Sequence, residues 1–425
     1  MLLSCRRGRY AVGASKSMNR TARAVAISLI VAPGMGFAAD TYMVPKLEVF
    51  ARADTNRELN TKAEGGADSS ESYIGDAQLT LGVSTPRSDT YIRPRIRYQN
   101  SPDIDNAKRT EQFFDFKSDY KTERSAFDFL ARYSKRDTLN AEFQDATFDP
   151  LTPDDPLVPE TGTVVVGETQ ERIAVSPSFR HEWTERMGIG ATATYQKVDF
   201  SSSSSVNDPK IGFDYVEGEG FLSRQLGLRT VGEMGVYASK FETDDNLRTN
   251  DAYGLTARLR KQWTPTFGLL ASAVVERDDI KVEDVSGATI RDEKETQWGL
   301  EVTGDFAGQV SRTRFSVGRF ISPTSAGSKS TVDQLRVQYD RSLTQRLEWT
   351  SAVRYNRQRA VGGQGLGLER DYVIGDLGLK YMLTPTWYVT GGYTYRWQDR
   401  KTDIGTADNH SFVLGFGYEG LRQRR

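Results

Sequence analysis

Gly378-Leu-Lys-Tyr-Met-Leu383, Thr384-Pro385-Thr386 and Trp387-Tyr-Val-Thr-Gly-Gly-Tyr-Thr-Tyr395 follow one another without a gap, and their reading decides the fold. In the last run and its continuation, Trp387, Val389, Gly391, Tyr393, Tyr395 and Trp397 alternate with Tyr388, Thr390, Gly392, Thr394, Arg396 and Gln398. A helix repeats its apolar positions every three or four residues, whereas a strand repeats every two. Two alternating runs joined by a three-residue turn make an antiparallel hairpin.

The module recurs. Ser178–Trp183 turns at Thr184-Glu185-Arg186 into Met187–Tyr195, Arg258–Trp263 at Thr264-Pro265-Thr266 into Phe267–Ala271, and Gln338–Leu343 at Thr344-Gln345-Arg346 into Leu347–Tyr355. The chain closes on Phe412, Leu414, Phe416 and Tyr418, which alternate with Val413, Gly415, Gly417 and Glu419. Continued along the chain, the pattern predicts strands over 44–53, 72–84, 90–99, 111–120, 125–134, 168–182, 187–199, 211–223, 226–240, 250–263, 266–277, 294–306, 311–321, 331–342, 346–358, 370–383, 386–399 and 408–418. That makes about 18, with 16 as the alternative count. Short turns fall near 85–89, 121–124, 184–186, 224–225, 264–265, 307–310, 343–345 and 384–385. Longer polar loops fall near 54–71, 100–110, 135–167, 200–210, 241–249, 278–293, 322–330, 359–369 and 400–407. No helical stripe interrupts the series.

An even strand number with short turns at one end and long loops at the other is the signature of a single antiparallel transmembrane β-barrel, its turns and termini periplasmic and its long loops outside. A soluble β-sandwich would alternate as well, but three features set it aside. The strands are longer than the usual soluble strand and suit a tilted crossing. Trp183, Trp263 and Trp387 flank short turns while Trp298 and Trp397 lie toward the other end, as in two interfacial girdles. Arg93, Arg95 and Arg97 share one face of a strand opposite Ile92, Ile96 and Tyr98, and three arginines in a dry core would be very costly.

Composition agrees. Of 425 residues only 37% are hydrophobic, and no stretch reaches the roughly 20 apolar residues of a membrane helix. The amino terminus reads as a secretory signal peptide over 1–38: Arg20 and Arg23 precede the apolar Ala24–Val31, Pro33-Gly34 breaks it, and Gly36-Phe37-Ala38 offers small residues for cleavage before Ala39 or one residue later. Met18 is an alternative start. Residues 39–425 are then the barrel, without the sole cysteine, Cys5, and thus without disulfides. The six basic residues of 1–38 carry no accompanying acid, so the net charge moves from −1 to −7 on cleavage, which argues against nucleic acid as a partner.

The polar strand face is rich in charge. Its cationic candidates are Arg93, Arg95, Arg97, Arg132, Arg258, Arg260, Arg314, Arg336, Arg354 and Arg396; its anionic ones are Asp76, Asp115, Asp128, Glu217, Glu219, Glu301 and Asp305. One reading is a water-filled pore that selects anionic solutes, since guanidinium groups pair well with carboxylates and phosphates. The other is mutual ion pairing that fills and rigidifies a closed structural barrel. The acidic 135–167 loop, stiffened by Pro150, Pro153, Pro156 and Pro159, either folds inward or stays among lipopolysaccharide head groups. Val361–Gly367 lacks the Lys-Ser/Thr of a phosphate loop, and Ser201–Ser205 reads as flexible loop. His181 and His410 are far apart in sequence and no thiol remains, which leaves a barrel hydrolase built on His410 as a minor alternative and non-enzymatic function as the expectation. No cluster has metal-ligand spacing, and neither metal nor cofactor is expected.

The turns Trp263-Thr-Pro-Thr266, Leu383-Thr-Pro-Thr386, Trp183-Thr-Glu-Arg186 and Leu343-Thr-Gln-Arg346, followed by apolar/glycine alternation, resemble the outer-membrane β-barrel porin family associated with exopolysaccharide loci, over roughly residues 170–418. The resemblance implies an outer-membrane channel linked to polysaccharide export, with membrane lipid, lipopolysaccharide, the barrel assembly machinery and a polysaccharide as partners. It carries over no binding or catalytic residues. The chain departs from the usual aromatic terminus of such barrels, because Glu419–Arg425 follow Tyr418.

Overall fold

A computed structural model describes residues 39–62, 65–102, 108–142, 168–201, 210–284, 286, 288–324, 328–361, 369–401 and 405–424. Residues 1–38, where a signal peptide is expected, most of the acidic 135–167 loop, and nearly all of the serine-rich and glycine-rich stretches lie outside the described residues.

Eighteen antiparallel strands close into one barrel. In chain order they are β1 (Asp40–Asp54), β2 (Ser70–Ser84), β3 (Ser88–Asn100), β4 (Arg109–Lys121), β5 (Ser125–Asp137), β6 (Thr169–Glu182), β7 (Met187–Phe200), β8 (Phe213–Gly227) and β9 (Thr230–Thr243). Then follow β10 (Arg248–Thr264), β11 (Phe267–Glu283), β12 (Thr289–Ala307), β13 (Ser311–Thr324), β14 (Ser328–Ser342), β15 (Leu347–Ala360), β16 (Arg370–Met382), β17 (Trp387–Arg400) and β18 (Gly405–Glu419). Each strand pairs with the next, and β1 pairs with β18 from Lys46↔Glu419 to Asp54↔Ser411, leaving no open edge.

The repeated threonine explains the sharp turns. Its Oγ1 accepts the backbone N–H three residues on: Ser88 from Thr85, Ser125 from Thr122 and Met187 from Thr184 at 2.9 Å, and Leu347 from Thr344 and Trp387 from Thr384 at 3.0 Å. The hydroxyl satisfies a donor that the tight reversal would otherwise orphan.

Four details differ from the sequence-based expectation. Strand β8 continues through the turn expected at 224–225 to Gly227, with a register shift between Gln225 and Gly227. The loops expected at 241–249, 278–293 and 322–330 are mostly strand, because β9–β14 keep pairing after their outward faces turn polar. A single helical turn, α1 (Thr138–Glu142), follows β5. The tail after Tyr418 runs on beside β1 with a one-residue register step: the Gly420 N–H meets the Pro45 carbonyl at 2.8 Å, and β19 (Gln423–Arg424) pairs antiparallel with Met43 and Tyr42.

The two faces of the wall differ as period 2 requires. On β12, Trp298, Leu300, Val302, Gly304 and Phe306 form an apolar outward run, with Asp292 and Lys294 beyond it; on β10 the run is Tyr253, Leu255, Ala257 and Leu259, followed by Lys261 stacked on Trp263. Such runs match the length of about 9–11 residues that a tilted strand needs to cross a bilayer core.

Candidate functional site

The inner face identifies itself by contacts between strands that are not neighbours. Tyr388 on β17 donates to Glu48 on β1 at 2.7 Å, past the intervening β18, and Arg180 on β6 pairs with Glu233 on β9. All the charged candidates named above share this parity, opposite the exposed apolar positions.

On β2–β5 the charges interlock. Arg95 grips Asp76 through Nε at 2.8 Å and Nη2 at 2.6 Å, and Arg97 Nε reaches the same carboxylate at 2.9 Å. Arg97 also lies 3.7 Å from Glu111. Asp115 takes Arg93 at 2.8 Å and Arg132 at 3.8 Å. Asp128 stands across from Asp119, two acids on one rung.

On β8–β10, Glu219 receives Arg258 at 2.5 Å and the Thr256 hydroxyl, while Glu217 receives the Tyr215 hydroxyl at 2.5 Å. Arg260 is exposed near the short-turn end. Glu301 takes the Ser316 hydroxyl at 2.7 Å, and Arg314 stands across from Asp305, which pairs with Arg312.

The strongest concentration of cations is on β14–β17. Arg336 and Arg354 form one cross-strand rung and Arg370 and Arg400 another, with Arg396 beside Ile374 between them; all five are buried on the inner face. Tyr372 lies between two guanidinium groups, Arg354 at 5.7 Å and Arg370 at 5.0 Å from its ring centre. Sequence reasoning found Arg336, Arg354 and Arg396 but missed Arg370, Arg400 and Tyr372, although these share the parity of Arg396 and its partners.

Two further segments reach inward. Between β1 and β2, Leu59 is fully buried against Ala352, Tyr372, Ile374 and Ala407, and its carbonyl accepts Gln398 Nε2 at 2.9 Å. It adopts φ 51°, a left-handed conformation that costs a non-glycine residue. Asn56 N–H donates to Asn409 at 2.9 Å, and Arg57 donates to Ser101 at 2.8 Å. Burial, with Arg52 and Arg109 adding to it, pushes the Arg57 guanidinium down to about 10, so it stays charged at neutral pH. From β14, Lys329 crosses to Asp278 at 2.9 Å and Glu276 at 3.4 Å on β11, and to Ser239 at 3.3 Å on β9.

On the outer face, Trp183, Trp263, Trp298 and Trp387 are exposed, Trp397 is half-buried, and Trp349, not assigned to a girdle from sequence, is exposed three residues past the turn residue Arg346. His181 Nδ1 lies 2.9 Å from the Ser125 hydroxyl near a short turn, whereas His410 Nδ1 lies 2.8 Å from the Tyr393 hydroxyl on β17. Among the described residues no group of His, Cys, Asp and Glu is arranged to hold a metal ion.

No family model matches this sequence, and no curated protein does. Solved structures resemble it at low identity. Pseudomonas aeruginosa OpdO is 10% identical over 90% of this chain and 97% of its own, with a TM-score of 0.43. The outer membrane protein OpdK from Pseudomonas aeruginosa is 12% identical over 90% and 99%, with a TM-score of 0.42. The copper transporter OprC is 11% identical over 84% of this chain and 64% of its own, with a TM-score of 0.45.

Proposed function

We propose that this chain is an outer-membrane channel for anionic solutes, delivered to the periplasm by a cleaved signal peptide. The observation that carries the reading is the division of an eighteen-strand ring into an apolar outer belt and a charged inner face. A ring of this size has room for an aqueous lumen. The exposed tryptophans suit the two lipid interfaces, and the paired charges beyond the belt, such as Lys294–Asp279 at 3.5 Å, suit lipopolysaccharide head groups.

The buried arginines of β14–β17 favour anions over cations. Charge at the two ends favours outward passage of an anionic polymer such as an exopolysaccharide. Arg87, Arg124, Arg186, Arg229 and Arg346 recur in the short turns, while the long loops hold mostly acids, among them Asp145, Asp149, Asp154, Asp155 and Glu160. The guanidinium arc would gather polyanions on the periplasmic side.

The cross-lumen contacts of Leu59 and Lys329 favour a second reading, a closed structural barrel. Planar-bilayer recording separates the two. Currents with anion preference support the channel; a correctly folded barrel that stays silent at all voltages would exclude it. Uptake of fluorescent anionic oligosaccharides into proteoliposomes, compared with neutral ones of equal size, then tests the solute class.

A further inference from the structure

Lys329 sits where a wall residue of an open barrel would not. In the ring, β14 is separated from β11 by β12 and β13, yet the Lys329 ammonium donates to Asp278 at 2.9 Å and to Glu276 at 3.4 Å on β11. It also donates to Ser239 at 3.3 Å on β9, two strands further round. The Lys329, Asp278 and Glu276 side chains are 2%, 0% and 4% exposed. The backbones of β10 and β14 come within 8 Å of each other. The start of β14, from Ser328 to Val332, therefore leans into the lumen, and Thr324, Ser330 and Val332 are buried there.

We propose that Lys329, Glu276, Asp278 and Ser239 form a latch that closes the long-loop half of the lumen, and that its release is the opening step of the channel. The proposal rests on the channel reading above. One ammonium and two carboxyl groups share one dry contact, and taking such groups out of water is costly unless their partners are in place. When the hairpin swings back to the wall, the same ammonium and carboxylates regain water in the lumen, which offsets the lost ion pairs. Two arrangements of similar free energy separated by a discrete contact are what a gate requires.

The experiment is single-channel recording of the full chain in planar bilayers. Lys329→Ser and the double variant Glu276→Gln/Asp278→Asn should each raise the open-to-closed ratio by about tenfold or more, the scale on which a ligand or contact shifts a two-state equilibrium. Lys329→Arg should gate like wild type. The exchange Lys329→Asp/Asp278→Lys restores one cation to two carboxylates and should return the ratio toward wild type. Heat-modifiable migration of each variant establishes that the barrel has formed. If wild type conducts and the first two variants match it, or the exchange fails to restore closure in a folded barrel, the latch is wrong and the channel stands. If wild type and every folded variant are silent, both fall.

Discussion

Arg336 and Arg354 stand directly across from each other on β14 and β15, each 2% exposed, so that two guanidinium groups of like charge share one inner rung. Like charges placed opposite in a sheet repel, and the Tyr372 ring beside Arg354 offsets part of that cost.

Replacing Arg354 with Gln should weaken anion preference and, because relief of the repulsion offsets lost contacts, cost no more than about 1–2 kcal/mol of stability. The shift of reversal potential in a KCl gradient reads the first effect and urea unfolding in detergent reads the second. A large loss of stability with unchanged selectivity would assign Arg354 to the wall instead.

Asp76 has the opposite character. With its side chain 3% exposed it holds both Arg95 and Arg97. Arg95→Ser leaves Arg97 in place and should cost about 1–2 kcal/mol, whereas Arg95→Ser/Arg97→Ser strands the carboxylate and should cost about 3–5 kcal/mol. Equilibrium unfolding of the three proteins checks the more-than-doubled loss. Asp76→Asn, by freeing two cations, should raise anion preference.

Gly417 faces the Tyr388 ring on the adjacent strand, and a Cβ there would lie 2.4 Å from the ring carbon. Gly417→Ala should displace Tyr388, break its bond to Glu48 and destabilise the barrel by about 1–3 kcal/mol. Tyr388→Ala in the same chain should remove most of the additional penalty, a non-additivity measurable in a double-mutant cycle.

Leu59 anchors the inward segment between β1 and β2. Leu59→Ala should lose about 2–3 kcal/mol of local packing, because the left-handed backbone gains nothing from the smaller side chain. Hydrogen–deuterium exchange should accelerate over 55–62 while β1 and β2 stay protected; protection unchanged at Asn60 would show that the polar bonds of Asn56 and Arg57 suffice.

The strands were legible because lipid imposes one period on their outer face, as in Trp387–Trp397 and Phe412–Tyr418. Legibility ended where that constraint ends. Beyond the belt, Asp278–Glu283 and Thr289–Glu295 carry charges on both faces, so alternation vanishes although pairing continues. The inner arginines were partly readable by parity, and Arg370 and Arg400 could have been added from the position of Arg396. Lys329 and Leu59 could not, since their partners lie far away in sequence and nothing local to either residue marks an inward bend.

The seam between β1 and β18 has a further consequence in time. Every other neighbouring pair of long strands is also consecutive in the chain, so hairpins can form as they emerge, but the seam joins residues more than three hundred and fifty positions apart. Its closure carries the largest single loop-entropy cost of assembly and comes last. The short β19, laid beside Tyr42 and Met43 just past the seam, lengthens the final zipper at the end where it must start or finish. Residues after Tyr418 thus act on the rate at which the ring shuts rather than on the shape of the finished wall.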